Sequence, residues 1–465
     1  MSGPKLFRRV RHVHMIGIGG AGMSGIAEVL LNLGFQVSGS DLQISDVTER
    51  LVRLGAQIFE GHAAEHLANA DVVVYSSAVK PENPEIRAAR ARNIPQIPRS
   101  EMLAELMRLK VGIAVSGTHG KTTTTSMIGA ILQHAELNPT LIVGGIVRSL
   151  QSGVKMGSGE LLVVEADEFD RSFLKLTPTL AVITTIEPEH LDTYTDLAGV
   201  QDAFVEFANR IPFYGSLIVC ADELNITAIL PRIKRPAISY GFSERADLRA
   251  VDIRHDGIHS HFHIQTAGTK RDEITLQVPG RHNILNALAA IAVADELDVP
   301  FATSCEALRD FTGVHRRFEI KGESQGVVVV DDYAHHPTEV YNTLRTARQC
   351  WPERRIVALF QPHLFTRTRD FAAEFGQALA EADVILIADI YPAREKPIAG
   401  VTSNLIIDAI RKQKNTQVIG VGQPESSADI RQYTKSNDAL IVMGAGTITR
   451  IARDFIEADH GSERP

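Results

Sequence analysis

A phosphate-loop pattern between a strand and a helix is the feature that most constrains this chain. The apolar run Val111–Val115 leads into Gly117-Thr118-His119-Gly120-Lys121-Thr122-Thr123, and the helical stretch Thr124–His134 follows. Glycines let backbone amides turn towards phosphate groups, a lysine neutralises their charge, and a threonine hydroxyl reaches Mg²⁺. The general eight-residue pattern has glycine where this chain has Val115, so only the core of the pattern is present. The loop predicts an ATP-binding α/β sheet.

Acidic and histidine side chains follow two other predicted strands. Glu165 comes directly after the run Leu161–Val164, and His190 lies shortly after Leu180–Thr185. Because the carboxyl ends of parallel strands meet at one edge of a sheet, we expect both side chains near the phosphate loop. Carboxylate oxygens suit Mg²⁺, whereas a histidine nitrogen is a less usual ligand for it. The sequence predicts Thr122, Glu165 and His190 as metal ligands.

A second glycine turn lies near the N-terminus. Gly17-Ile18-Gly19-Gly20-Ala21-Gly22 follows the strand-like run Val13–Ile18 and opens a predicted helix. Glycines there allow a pyrophosphate to approach the backbone at the helix N-terminus. Asp41 ends the next predicted strand, where a carboxylate would contact a ribose. The motif alone does not separate NAD from another pyrophosphate ligand such as a UDP-sugar.

The order of predicted elements indicates a three-domain α/β protein. Short β-branched runs alternate with helical stretches, which is typical of βαβ units around mostly parallel sheets. A small section over Asp247–Val278 alternates polar and apolar residues and predicts antiparallel strands. The chain of 465 residues is long enough for about three domains. We place them at residues 1–109, 110–318 and 319–465.

Composition excludes several classes of protein. With 48 basic and 56 acidic residues the net charge is −8, which argues against general nucleic-acid binding. No apolar run reaches the roughly 18 residues of a membrane span. The three cysteines are far apart in the chain, so neither a disulfide framework nor a zinc cluster is indicated. We expect a cytoplasmic protein without membrane or nucleic-acid partners, as a monomer or weak homodimer.

Taken together, these motifs resemble those of the Mur ligase family, ATP-dependent enzymes that add amino acids to a peptidoglycan precursor. The resemblance runs in order along nearly the whole chain. The segments that carry it are Gly17–Gly25, Gly117–Thr124, Glu165–Asp170, Glu187–Tyr194, Gly280–Asn286, Gly313–Glu319, Asp331–Glu339, Gln361–Asp370 and Asp389–Lys396.

The resemblance implies a fold and a role for each matching segment. It implies a Rossmann-like N-terminal domain that binds the UDP-substrate, a central P-loop ATPase domain and a Rossmann-like C-terminal domain. UDP-substrate contacts would come from Gly17, Gly19, Gly20, Ala21, Gly22, Met23 and Asp41. ATP contacts would come from Gly117 to Thr123 with Asn283 at the adenine, Arg316 at the phosphates and Asp331 at the ribose. The amino-acid site would be lined by Tyr333, His335, His363 and Arg367.

The resemblance also implies a branch of the family and a reaction. L-alanine would be joined to the lactyl carboxylate of UDP-N-acetylmuramate through an acyl phosphate, with His335 or His363 taking the amine proton. The implied catalytic residues are Lys121, Glu165, His190, Arg316, His335, His363 and Arg367. Two departures stand out: the stretch 191–209 contains no lysine, whereas several relatives have a carbamylated one, and Leu364 stands where relatives often have arginine.

Other activities remain open on sequence alone. Within the family, the alternative is a ligase that recycles a tripeptide onto the same UDP-sugar. Outside it, an NAD-dependent oxidoreductase would explain the first glycine turn but not the phosphate loop. A signalling or motor-type NTPase would explain the phosphate loop but not the histidine-rich C-terminal segments.

Overall fold

The computed structural model describes residues 9–76, 78–148, 152–189, 191–393, 395–413 and 417–460. By spatial contacts the chain divides into two compact units. The first comprises residues up to 250 with 264–271 and 285–308, and the second comprises 251–263, 272–284 and the chain from 309 onwards.

The N-terminal part forms a five-stranded parallel sheet with strand order β3-β2-β1-β4-β5. Its β-branched runs are buried because helices cover a parallel sheet; Val73 and Val74 of β4, for example, have no exposed surface. The strands are β1 (His12–Ile16), β2 (Gln36–Asp41), β3 (Gln57–Glu60), β4 (Val72–Tyr75) and β5 (Gln96–Pro98). The helices are α1 (Ala21–Asn32), α2 (Asp46–Arg53), α3 (Pro84–Ala91) and α4 (Arg99–Met107).

The central part forms a ten-stranded sheet in the order β15-β14-β13-β12-β11-β10-β6-β9-β7-β8. Strand β6 lies between β10 and β9 and pairs with both in parallel, whereas β8 runs antiparallel to β7. The strands are β6 (Val111–Ser116), β7 (Thr140–Val147), β8 (Ser152–Lys155), β9 (Leu161–Glu165), β10 (Leu180–Ile183), β11 (Ser216–Cys220), β12 (Ala237–Gly241), β13 (Leu248–Asp256), β14 (His259–Thr266) and β15 (Thr269–Leu276). The helices are α5 (Lys121–His134), α6 (Leu191–Tyr194), α7 (Leu197–Asn209), α8 (Leu224–Ile229), α9 (Arg281–Asp295) and α10 (Phe301–Arg309).

The C-terminal part forms a six-stranded sheet in the order β16-β17-β21-β18-β19-β20, parallel except for β16. Its middle strands are fully buried, with Val329, Leu359 and Ile441 at zero exposure. The strands are β16 (Glu319–Ser324), β17 (Val327–Asp332), β18 (Arg355–Phe360), β19 (Val384–Ala388), β20 (Gln417–Gly422) and β21 (Asp438–Met443). The helices are α11 (Pro337–Cys350), α12 (Phe365–Asp370), α13 (Ala372–Leu379), α14 (Asn404–Gln413), α15 (Ala428–Arg431) and α16 (Thr449–His460).

The predicted α/β class with mostly parallel sheets and a few antiparallel strands is confirmed. Among the described residues, no helix is both long and apolar enough to span a membrane. The boundaries at residues 109 and 318 stay predictions.

Candidate active site

The phosphate loop occupies the turn between β6 and α5, at the carboxyl edge of the central sheet. Gly117 has φ +131°, and a Cβ there would lie 2.2 Å from the Thr184 hydroxyl oxygen, so only glycine fits. The Thr184 hydroxyl donates to the carbonyl of His119 at 2.5 Å, and the His119 N–H donates to the Thr185 hydroxyl oxygen at 2.8 Å. The loop is thereby fixed to β10 and its end, and it opens a 14-residue helix whose N-terminus favours phosphate.

Lys121 begins α5 and lies within hydrogen-bond distance of a buried carboxylate. Its Nζ is 3.0 Å and 2.9 Å from the two oxygens of Glu168 and 2.6 Å from the carbonyl oxygen of Gly117. Burial alone would lower the pKa of Lys121, but the charges of Glu168, Asp167 and Glu165 outweigh it and raise that pKa. The lysine is therefore held charged at the position where a nucleotide phosphate would bind.

Oxygen atoms suited to a divalent cation lie beside the loop. The Thr122 hydroxyl donates to the carboxylate of Glu165 at 3.0 Å, and the Gly144 N–H donates to the same carboxylate at 2.8 Å. The expectation that Glu165 lies near the phosphate loop is confirmed. A hydroxyl and a carboxylate are the hard oxygen donors that Mg²⁺ prefers, so this pair fits the ion. His190, the third predicted ligand, lies outside the described residues.

Besides Glu168, two residues at the loop, Asn286 and Glu187, were not among the predicted site residues. The Thr124 hydroxyl donates to Asn286 Oδ1 at 3.1 Å, and a Cβ on Gly120 would lie 2.6 Å from the same oxygen. The Glu187 N–H donates to the Thr118 hydroxyl oxygen at 2.9 Å. Both residues belong to motifs recognised in the sequence, but motif spacing alone does not show which side chain of a motif faces the loop.

Asn283 was predicted at the adenine and lies one turn before Asn286 on α9. Its side-chain Nδ2 donates to the carbonyl of Pro279 at 2.6 Å, within the second unit. Its contact with adenine therefore stays a prediction.

The N-terminal glycine turn lies between β1 and α1, beside Asp41. Gly17 has φ +77°, and α1 begins at Ala21, so Gly22 and Met23 lie in the first turn of the helix. The Gly19 N–H donates to Asp41 Oδ2 at 2.8 Å, and a Cβ on Gly19 would lie 2.9 Å from that oxygen. The expectation that Asp41 ends β2 beside the turn is confirmed.

Arg99, at the N-terminal glycine turn, was also not predicted. A Cβ on Gly22 would lie 3.0 Å from Arg99 Nη1, so the guanidinium covers the start of α1. Arginine pairs readily with phosphate oxygens. The contact joins α1 to the start of α4, far along the chain, and no local pattern in the sequence marks it.

Four predicted residues of the C-terminal part form one cluster in the second unit. The rings of Tyr333 and His335 have centroids 5.1 Å apart, and those of His335 and His363 are 5.7 Å apart. Arg367 Nη1 lies 3.3 Å from His363 Nδ1, one helical turn away. Tyr333 and His335 follow β17, whereas His363 and Arg367 follow β18, so segments that leave the same sheet edge bring them together.

Arg316 and Asp331 lie beside this cluster. The Arg316 guanidinium is centred 4.9 Å from the Tyr333 ring, and its Nε is 3.7 Å from Asp331 Oδ2. The Thr449 hydroxyl donates to the same oxygen at 2.5 Å. Burial raises the pKa of Asp331 above its usual value. The hydrogen bond from Thr449 and the charge of Arg316 lower that pKa, but by less. Leu364, the departure from the family pattern, has φ +71° and donates its N–H to the carbonyl of Tyr391.

Sequence comparison matches the three parts of the chain to one family. Residues 12–111 match the Mur ligase family catalytic domain, 115–294 the Mur ligase middle domain, and 316–446 the Mur ligase glutamate ligase domain. The chain belongs to the Mur ligase family.

Similarity to individual relatives covers almost the whole chain. It is 49% identical over 452 residues to a UDP-N-acetylmuramate–L-alanine ligase of Geobacter sp. (strain M21), covering 97% of this chain and 98% of that protein. The crystal structure of a UDP-N-acetylmuramate–alanine ligase from Thermotoga maritima superposes with a TM-score of 0.81 at 30% identity, covering 97% of this chain and 100% of that one. A murein peptide ligase from Psychrobacter arcticus superposes with a TM-score of 0.68 at 27% identity, covering 96% and 98%.

Proposed function

We propose that this chain joins L-alanine to the lactyl carboxylate of UDP-N-acetylmuramate, converting ATP to ADP and phosphate. The observation that carries the proposal is the near full-length similarity, at 49% identity, to a ligase named for these two substrates. The phosphate loop, with Lys121 and Glu165 at one sheet edge, supports the use of ATP.

The proposed reaction requires the phosphate loop to position ATP and to neutralise the charge of its phosphates. A carboxylate is a poor electrophile, so the γ-phosphoryl group of ATP is first transferred to it and gives an acyl phosphate. The alanine amine then attacks the carbonyl carbon, and inorganic phosphate leaves. Phosphoryl transfer depends mainly on positioning and charge neutralisation. Lys121 and the loop amides would hold the phosphates, with Arg316 as a further cation.

A divalent cation fits the oxygen donors at the loop. Thr122 and Glu165 would hold Mg²⁺, with His190 proposed as a third ligand. When bound, the cation neutralises negative charge on the phosphate oxygens.

The UDP-substrate is assigned to the N-terminal sheet. Its pyrophosphate would bind the loop from Gly17 to Met23, where the N-terminus of α1 favours negative charge. Asp41 would contact the ribose, and Arg99, which covers Gly22, would pair with a phosphate oxygen.

The amino-acid site is assigned to the cluster of Tyr333, His335, His363 and Arg367. His335 Nδ1 lies 2.9 Å from the carbonyl of Tyr333, which can only accept, so Nδ1 carries the proton and Nε2 the lone pair of the neutral ring. His363 Nδ1 accepts a hydrogen bond from Arg367 at 3.3 Å. Either His335 or His363 would take the amine proton.

The test is phosphate release from Mg·ATP in the presence of UDP-N-acetylmuramate. L-alanine, glycine, L-serine and a tripeptide are supplied in turn, with controls that omit the sugar or the metal. We expect release that requires both the sugar and L-alanine. Release only with the tripeptide would assign the chain to the recycling ligases, and release without sugar would refute the proposal.

A further inference from the structure

Every donor of the phosphate-loop lysine has a protein acceptor in reach. Lys121 Nζ contacts both carboxylate oxygens of Glu168, the carbonyl oxygen of Gly117 and, at 3.3 Å, that of Thr118. An ammonium group has three N–H bonds, so these acceptors are enough to satisfy it. A phosphate can bind this lysine only by replacing some of these contacts.

The Lys121–Glu168 ion pair is nearly closed to solvent. The exposed fractions of the two side chains are 14% and 3%, respectively. The Tyr194 hydroxyl donates to the backbone carbonyl of Glu168 at 2.5 Å, which fixes the segment that carries the carboxylate. Charges removed from water interact strongly and are costly when left without a partner. Breaking this ion pair should therefore cost free energy unless another charged group replaces one of the partners.

We propose that Glu168 is a positioning residue that takes the place of nucleotide phosphate as the counter-ion of Lys121. It keeps the lysine ordered in the nucleotide-free loop, and it competes with ATP and ADP for that lysine. The inference rests on the proposed function only in assigning the loop to these nucleotides.

Two energetic terms set the direction of the effect. A bound nucleotide must draw Lys121 away from Glu168, and it then places phosphate negative charge near a carboxylate that has lost its partner. Both terms oppose binding, because like charges repel most strongly where water is excluded. Removing the charge of Glu168 should therefore tighten nucleotide binding. The same change leaves Lys121 with a weaker partner when no nucleotide is bound, so the empty protein should be less stable.

The test compares Glu168→Gln with Glu160→Gln, a matched change at an exposed carboxylate just before β9. ADP binding is measured by calorimetry, and thermal unfolding is measured with and without ADP. For Glu168→Gln we expect an ADP Kd lower by about 10-fold, a size typical of coupling between two interacting sites. The empty variant should unfold at a lower temperature, and ADP should raise its midpoint by more than it raises that of the parent protein. Glu160→Gln should match the parent in all three measurements.

A second variant keeps the test decisive if Glu168→Gln does not fold. Glu168→Asp keeps the charge but withdraws it by one methylene group, so we expect a smaller decrease in the ADP Kd. Unchanged or weaker ADP binding in the folded variants would overturn the proposal, because a merely structural role for Glu168 does not tighten a nucleotide. ADP binding needs neither sugar nor amino acid, so this result is independent of whether L-alanine is the acceptor.

Discussion

At the scale of single residues, Glu85 is a buried carboxylate of the N-terminal sheet region with three histidine side chains around it. It lies near the start of α3, with no exposed surface. The Ser40 hydroxyl donates to it at 2.7 Å, and ring nitrogens of His14, His62 and His66 lie 3.3, 2.9 and 3.0 Å from it. Burial alone would raise the pKa of Glu85, but the hydrogen bonds from His14, Ser40 and His66 outweigh it and lower that pKa.

Replacing this carboxylate should reduce stability in a way that depends on pH. We expect Glu85→Gln to lower the unfolding free energy at pH 7 by about 1–3 kcal/mol, because buried His14 and the partly buried His62 and His66 lose a charged acceptor. A carboxyl whose pKa is lowered by folding stabilises the protein above its unfolded pKa of about 4.3, and this contribution is lost as the pH falls through the folded pKa. The difference from the parent protein should therefore shrink below about pH 4. Urea unfolding at pH 7, 5 and 3.5 measures it, with exposed Glu82→Gln as the control; a difference that does not shrink between pH 5 and pH 3.5 would contradict the assignment.

The residues whose positions in the fold were predicted correctly share a local signal. Lys121 and Asp41 stand at fixed distances from glycines, and Glu165 directly follows a run of strand residues, so chain neighbours reveal their place. Glu168 and Arg99 acquire their partners through tertiary contacts with α5 and α1. A single sequence contains no record of which long-range contacts form, so the contacts of these two residues were visible only in the structure.

At the scale of elements, the β6–α5 turn depends on one glycine. Gly117→Ala places a Cβ 2.2 Å from the Thr184 hydroxyl oxygen and 2.9 Å from the Thr185 nitrogen, and φ is +131°. We expect this variant to lose ADP binding by about 100-fold or more and to be destabilised by more than the 1–2 kcal/mol of backbone strain alone. Gly268 also has a positive φ, but a Cβ there would have no atom within 4 Å. We therefore expect Gly268→Ala to be destabilised by backbone strain and to bind ADP as the parent protein does. Calorimetry with ADP and thermal unfolding distinguish the two variants. Equal effects in both would contradict the claim that a Cβ at Gly117 distorts the loop by a steric clash.

Most strands could be predicted because a continuous β-branched run marks each of them. The runs at β1, β6, β9 and β10 were located to within two residues at their ends. Strand β7 was missed: Gly144 and Gly145 interrupt its apolar run, and glycine is depleted in strands. The interruption has a role in the site, because the Gly144 N–H donates to Glu165.

At the scale of the whole molecule, the two glycine turns serve different sheets. The turn at Gly17 follows β1 of the five-stranded sheet, and the turn at Gly117 follows β6 of the ten-stranded sheet. The sequence indicated this division because each turn follows its own strand and precedes its own helix. The sequence did not indicate that β13, β14 and β15 join the central sheet through β11 and β12. The order of strands across a sheet depends on long-range pairing, which a single sequence does not show.

Because the turns belong to different sheets, one substitution at the phosphate loop should reduce phosphate release and leave binding of the UDP-substrate nearly unchanged. Lys121→Ala removes the charge at the phosphate loop, and we expect phosphate release to fall by about 10³-fold, the upper effect of one preorganised charge donor. Binding of UDP-N-acetylmuramate, measured by calorimetry without nucleotide, should stay within about 3-fold, since groups that share no binding partner have nearly independent effects. The substitution leaves Glu168 buried without its cation, so some loss of stability is expected; intact sugar binding shows that the N-terminal sheet is still folded. Exposed Lys270→Ala is the control. If Lys121→Ala abolished sugar binding in a protein that still unfolds cooperatively, the two turns would have to be parts of a single site.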